Sequence, residues 1–114
     1  MAPWRDLLLT FGALGYNYYT MIGDFEYDPT KSAANQLKHG IDFDEAQELW
    51  QDERRLEIQA RVQDAEERWA LIAATRDRLW TAIFTWRNGR VRIISVRRAR
   101  QEEEELYGQE NFGN

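Results

Sequence analysis

Helical and strand periods succeed one another along this chain and mark out eight elements. Phe25-Glu26-Tyr27 reads as a short strand. Asp28-Pro29 then opens a helix: Asp suits the N-cap, and Pro suits the first helical position, where a missing N–H costs nothing. The helix runs to about His39, with Ala34 and Leu37 as inward candidates. Gly40 ends it, since glycine takes up a left-handed backbone cheaply. A second helix starts at Asp42, and Glu45, three residues on, completes a capping-box pattern. Phe43, Ala46, Leu49 and Trp50 recur at helical spacing and form its buried stripe. Asp52-Glu53 closes it.

From there the period changes to two. Four strands are expected, at Leu56-Glu57-Ile58 and at residues 68–73, 79–86 and 91–96. Asn88-Gly89 joins the last two as a two-residue hairpin turn. In the strand over 79–86, Trp80, Ala82, Phe84 and Trp86 share one face; Leu79, Thr81, Ile83 and Thr85 share the other. In the next strand, alternation places Val91 and Ile93 on one face and Ile94 and Val96 on the other. Both strands are apolar on both sides, the mark of a central position. Residues 97–107 turn helical and stop at Gly108. The expected fold is α+β in the order β-α-α-β-β-β-β-α, a twisted antiparallel β-sheet with helices packed on one face.

Length and composition fit one folded domain: 114 residues, 43% hydrophobic, with five each of Trp, Tyr and Phe. Residues 1–22 read as an N-terminal extension outside the core, upstream of a native start near Met21; a short amphipathic helix packed on the domain is the rival reading. The domain proper spans 23–108, and 109–114 form a C-terminal tail. The apolar run from Leu7 to Gly15 is shorter than the ~20 residues a membrane crossing needs. There is no cysteine and one histidine, which excludes a disulfide framework and a zinc site built from Cys or a His cluster.

The formal charge is −5, which argues against indiscriminate coating of nucleic acid. Yet residues 87–100 hold Arg87, Arg90, Arg92, Arg97, Arg98 and Arg100 and no acid. Guanidinium forks match phosphate oxygens and stay charged at any working pH. Arg97 and Arg98 sit where a strand gives way to a helix N-terminus, a favourable place for an anion. Simple alternation puts Arg92 on the face of Ile94, Val96 and Arg98. Arg98 with Glu102, and Arg100 with Glu104, also have the i,i+4 spacing of solvated ion pairs, and Arg100 is read as surface. Lys38-His39 adds a mobile cation and a group that exchanges protons near neutrality, although a cation in the last helical turn also has a structural reason. Glu57, facing away from Leu56 and Ile58, is a candidate counter-ion or general base. Glu45 has its capping role, and Glu102-Glu105 reads as a solvated face.

Two ordered motifs carry a family resemblance. Residues 25–46, as Phe25-Glu26-Tyr27-Asp28-Pro29-x-Lys31, Asn35, Lys38-His39-Gly40-Ile41, Phe43 and Glu45-Ala46, resemble the opening signature of the BrnT toxins. Arg92-Ile93-Ile94-Ser95-x-Arg97-Arg98-Ala99, then Glu103 and Tyr107, resemble their closing signature. The resemblance implies a RelE-like fold and the toxin role in a type II toxin–antitoxin system: a cytoplasmic ribonuclease that inhibits translation. It further implies a BrnA-type antitoxin as partner, and operator DNA contacted only through that antitoxin. Lys38, His39, Arg92, Arg97 and Arg98 carry over as site residues, with Glu57 a weaker addition from the residue reading. The expected chemistry is metal-independent endoribonuclease cleavage with no cofactor. A non-catalytic module, or an attenuated toxin that binds an antitoxin without cutting RNA, is the alternative.

Overall fold

The computed structural model describes residues 25–63 and 66–112. The expected N-terminal extension and its rival helix lie outside the described residues, as do the last two residues of the expected tail. Strand β1 (Phe25–Glu26) leads into helix α1 (Pro29–His39), a 3₁₀ helix (Glu45–Gln51), strands β2 (Leu56–Gln63), β3 (Glu66–Thr75), β4 (Arg78–Arg87) and β5 (Arg90–Arg98), and helix α2 (Gln101–Asn111). The strands make one sheet in the order β1-β5-β4-β3-β2. It is mixed, not antiparallel as expected: β1 runs parallel to β5, with Phe25 opposite Val91 and Glu26 opposite Arg92. The parallel pairing is possible because α1 and the following elements carry the chain across between them.

Local chemistry explains most boundaries. The Asp28 carboxylate accepts from the Thr30 N–H at 2.8 Å, and Gly40 leaves α1 with φ 84°. The capping box forms: the Asp42 N–H donates to Glu45 at 3.0 Å, and the Glu45 N–H donates to Asp42 at 2.7 Å. The element it starts is a 3₁₀ helix, however, with Ala46, Leu49 and Trp50 buried. Asn88 and Gly89 both take positive φ, as the hairpin demands. The β3–β4 hairpin uses Arg76 and Asp77, again with positive φ (57° and 61°), and without a glycine.

Two expectations for α1 fail. Ala34 is exposed and Leu37 is 90% exposed, whereas Ser32 and Asn35 are buried. These polar residues stitch backbone. The Phe43 N–H donates to Ser32 Oγ at 2.8 Å. Asn35 Nδ2 donates to the Ile41 and Val96 carbonyls at 2.8 and 2.9 Å, and the Val96 N–H donates back to Asn35 Oδ1 at 3.1 Å. β1 pairs with β5 only at Val91 and Arg92. Asn35 therefore occupies the edge that β1 leaves open farther along, and satisfies groups that burial would otherwise penalise.

The core lies on the sheet face of Trp69, Leu71, Ala73, Trp80, Ala82, Phe84 and Trp86, under Ile41, Phe43, Ala46, Leu49 and Trp50. Edge-to-face contacts run Phe25–Trp50 (5.2 Å), Trp50–Phe84 (5.3 Å) and Phe84–Trp86 (6.0 Å). The expected faces of β4 hold. Those of β5 do not, because a bulge intervenes: Ile83 opposes Ser95, yet Phe84 opposes Ile93, leaving Ile94 as the extra residue. Val91, Ile93 and Val96 consequently all enter the core, although strict alternation would separate Val96 from the other two.

Helices cover both faces, not one. Beyond β5, which continues through Arg98, α2 starts at Gln101 and runs past Gly108 to Asn111. Its Glu103 accepts from Thr81 Oγ1 at 2.9 Å, on the sheet face opposite Trp80 and Ala82. Glu103 also takes both arms of Arg97, at 2.8 and 2.9 Å, and the Arg100 N–H at 2.8 Å. An arginine side chain cannot accept, so only this carboxylate half of a capping box operates at α2. At the far end, Tyr107 donates to Asp52 at 2.8 Å and Asn111 donates to the Arg54 carbonyl at 3.0 Å.

Two outcomes follow for stability. Asn35→Ala strands buried backbone groups of Val96 and should lower unfolding stability by roughly 2–4 kcal/mol in urea titration, while Leu37→Ser stays within about 0.5 kcal/mol of wild type. Glu103 is lowered from 4.5 to about 2, chiefly by hydrogen bonding from Arg97. A depressed carboxylate stabilises the fold above its unfolded pKa and loses that contribution as pH falls through the folded value. The urea midpoint of the wild type should therefore drop between pH 4.5 and about 2, and Glu103→Gln should remove that part of the acid dependence.

Candidate functional site

Chain alternation and the Ile94 bulge decide which arginines meet. On β5, Arg92 opposes Thr85 and Arg97 opposes Thr81, so both lie on the face away from the aromatic core. Arg98 opposes Trp80 and belongs to the core side, where its guanidinium sits over the Trp80 ring at 5.7 Å. The expectation that Arg92 shares a face with Val96 and Arg98 is thus corrected. Without a bulge, residues at even spacing would stay together; one inserted residue reverses every side chain beyond it.

The three guanidiniums differ in availability. Arg97 is held by both oxygens of Glu103, and this pairing, more than any other influence, raises its affinity for the proton. Arg92 pairs with Glu26 across β1–β5 at 3.2 Å. Arg98 is exposed and ion-pairs with none of the described residues; the expected Arg98–Glu102 pair does not form. Arg100 is exposed, in keeping with its surface reading, though Glu104 is not its partner.

Lys38 and His39 occupy the last turn of α1, Lys38 exposed and His39 half-buried. Neither side chain bonds to another described residue, which leaves both heads available. The Asn35–Val96 bonds dock this helix on β5. His39 follows Asn35 by four residues, about 6 Å along the same helical face. Arg98 follows Val96 by two residues, about 7 Å along the strand. The helix that ends in Lys38-His39 thus docks through Asn35 on β5, the strand that bears Arg92, Arg97 and Arg98.

Glu57 stands apart. It faces the core side of edge strand β2 opposite Leu71, and β2 lies three strand spacings from β5, about 14 Å away. Burial raises its pKa, opposed by Arg55 at 3.8 Å. Its counter-ion role is met by Arg55, and the fold does not bring it to Arg92, Arg97 or Arg98. Glu103 and Glu26 are the acids that do meet those arginines. Glu103, expected on a solvated glutamate face and quoted in the closing signature, instead turns inward to Thr81 and Arg97, a contact that needs the turn at Ala99-Arg100.

Guanidiniums of this kind can neutralise a phosphate, and an imidazole and an amine can transfer protons. Comparison with known proteins agrees with that chemistry. Residues 27–103 match a family model described as the ribonuclease toxin BrnT of type II toxin–antitoxin systems. No curated protein matches significantly. The match spans most of the chain and includes both arginine-bearing and histidine-bearing segments, and the protein belongs to the BrnT family of ribonuclease toxins.

Proposed function

We propose that this chain is a metal-independent endoribonuclease with a RelE-like fold, acting in the cytoplasm to arrest translation. The observation that supports the reading is that α1, which ends in Lys38-His39, docks through Asn35 on β5, the strand that bears Arg92, Arg97 and Arg98. In the first step the ribose 2′-OH attacks the neighbouring phosphate and the 5′-oxygen leaves. His39 or Lys38 takes the 2′ proton or gives one to the leaving oxygen, worth ~10²–10⁴-fold. One histidine cannot fill both roles in a single step, so Lys38 shares the work.

Arg98, with Arg97 beside it, stabilises charge on the pentacovalent phosphate, while Arg92, five residues back on β5 and paired with Glu26, contributes only through its field. Arg98 is the guanidinium most open to substrate, whereas Arg97 must exchange one Glu103 oxygen for a phosphate oxygen or act through its field. Glu57, at its distance, enters neither step. A BrnA-type antitoxin neutralises the toxin, and operator DNA is reached only through that partner; family membership supports an antitoxin as partner. No helix among the described residues is long and apolar enough to cross a membrane.

Purified protein should cleave single-stranded RNA in EDTA and leave 2′,3′-cyclic phosphate ends. His39→Ala should lower the single-turnover rate about 100-fold or more, and Arg98→Ala about tenfold or more, with melting temperatures near wild type. Cleavage that disappears in EDTA, or full activity in both variants, refutes the mechanism. Binding to an antitoxin without any RNA cleavage would favour the non-catalytic alternative.

A further inference from the structure

Among the described residues, the sheet face away from the aromatic core is only partly covered, although Thr85 on it is 2% exposed. α2 lies over its Thr81–Arg97 end through Glu103, and Ile72 beside them is 1% exposed. Farther along, Ala70, Ile83 and Ser95 remain partly exposed in one cross-strand row. Beyond them comes a basic row. Trp69 opposes Phe84, so Arg68 is placed opposite Thr85, which itself opposes Arg92. Arg87 and Arg90 oppose each other one step outward.

Charge matching on this face is incomplete. Arg92 pairs with Glu26 at 3.2 Å, Arg87 with Glu66 at 3.1 Å and Arg97 with Glu103 at 2.8 Å. Each of these glutamates is taken by one arginine. Arg68 and Arg90 pair with no carboxylate among the described residues, and Arg68 Nε is buried without a hydrogen-bond acceptor. In a chain of charge −5, the half-buried Arg68 has a desolvation cost that no acceptor among the described residues offsets, and Arg90 beside it on the same face is exposed and unpaired among them. Arg68 stands two strands from Arg92, about 10 Å, and Arg90 stands two residues from Arg92, about 7 Å. That spread fits an extended polyanion better than a single bound ion.

We propose that Arg68 and Arg90 form a backbone-binding subsite for single-stranded RNA, holding phosphates away from the cleaved bond. The subsite rests on the RNA-cleaving reading above and extends it: substrate would run across the open sheet face toward the β5 end. Its residues position substrate and take no part in bond breaking. Longer RNA should consequently gain affinity that a dinucleotide cannot.

The test uses the full chain and a 2′-O-methyl oligouridylate, which cannot be cleaved, of roughly ten nucleotides. Arg68→Ala and Arg90→Ala should each weaken binding about fivefold or more and reduce the slope of log Kd against log salt by about 0.7. On a cleavable oligomer of the same length they should raise KM with kcat within about twofold, and leave cleavage of a dinucleotide unchanged. Should Arg68→Ala fail to fold, Arg68→Gln and the exposed Arg90→Ala carry the test. Affinity and salt slope unchanged in both variants, where the wild type cleaves RNA, overturn the subsite and spare the ribonuclease reading. Altered slopes in a wild type that binds without cleaving sustain the subsite and sink the cleavage mechanism. Loss of antitoxin binding with RNA affinity unchanged assigns the face to a protein partner and overturns the proposal.

Discussion

Strand β5 must satisfy its backbone along an edge that β1 covers for only two residues, and the Asn35 side chain completes that edge. The rest of the molecule is arranged around this substitution of an amide for a strand. It holds α1, the helix that ends in Lys38-His39, against β5 and orders the Ile41 turn through a second carbonyl. A buried polar residue at that point also excludes alternatives. An apolar residue of equal size would pack but would leave the Val96 N–H and carbonyl without partners, a cost that falls on any other docking of the helix.

The bulge at Ile94 is the second constraint, and it lies beside the first. Inserting one residue returns Val96 to the core while turning Arg97 outward toward α2. The strand thereby serves two environments within three residues. Its apolar positions close the aromatic core, and its arginines divide between a latch to Glu103, a contact over Trp80 and an ion pair with Glu26. Bulges commonly re-aim side chains near functional sites, and here the re-aimed groups are the ones with phosphate chemistry.

Charge then links fold to chemistry. Acidic residues outnumber basic ones in the chain, yet among the described residues the glutamates paired on this sheet face are fewer than its arginines. The acidic surplus is spent on caps and surface positions: Glu45 on a helix start, and exposed Glu102, Glu104 and Glu105 in the first turns of α2, where the helix dipole favours them. Net charge alone would argue against an RNA substrate; the local distribution argues for one.

Local chemistry made several elements readable in advance. Asp28, Pro29 and Gly40 delimit α1, Asp42 and Glu45 cap the next helix, and Asn88-Gly89 turns the last hairpin, because each effect acts within a few residues. The two signature segments likewise disclosed the family. Other features require contacts distant in sequence. Ser32 and Asn35 look like surface residues until β5 arrives, while Leu37 looks like core until nothing covers it. Arg76-Asp77 turns a hairpin without glycine because β3 and β4 pair strongly on either side. The sequence by itself determined the elements, the cast of cations and the family. Tertiary structure decided the parallel β1–β5 pairing, the faces of Arg92, Arg97 and Arg98, and the distance of Glu57, since a bulge and a strand order are properties of paired backbones that no single segment contains.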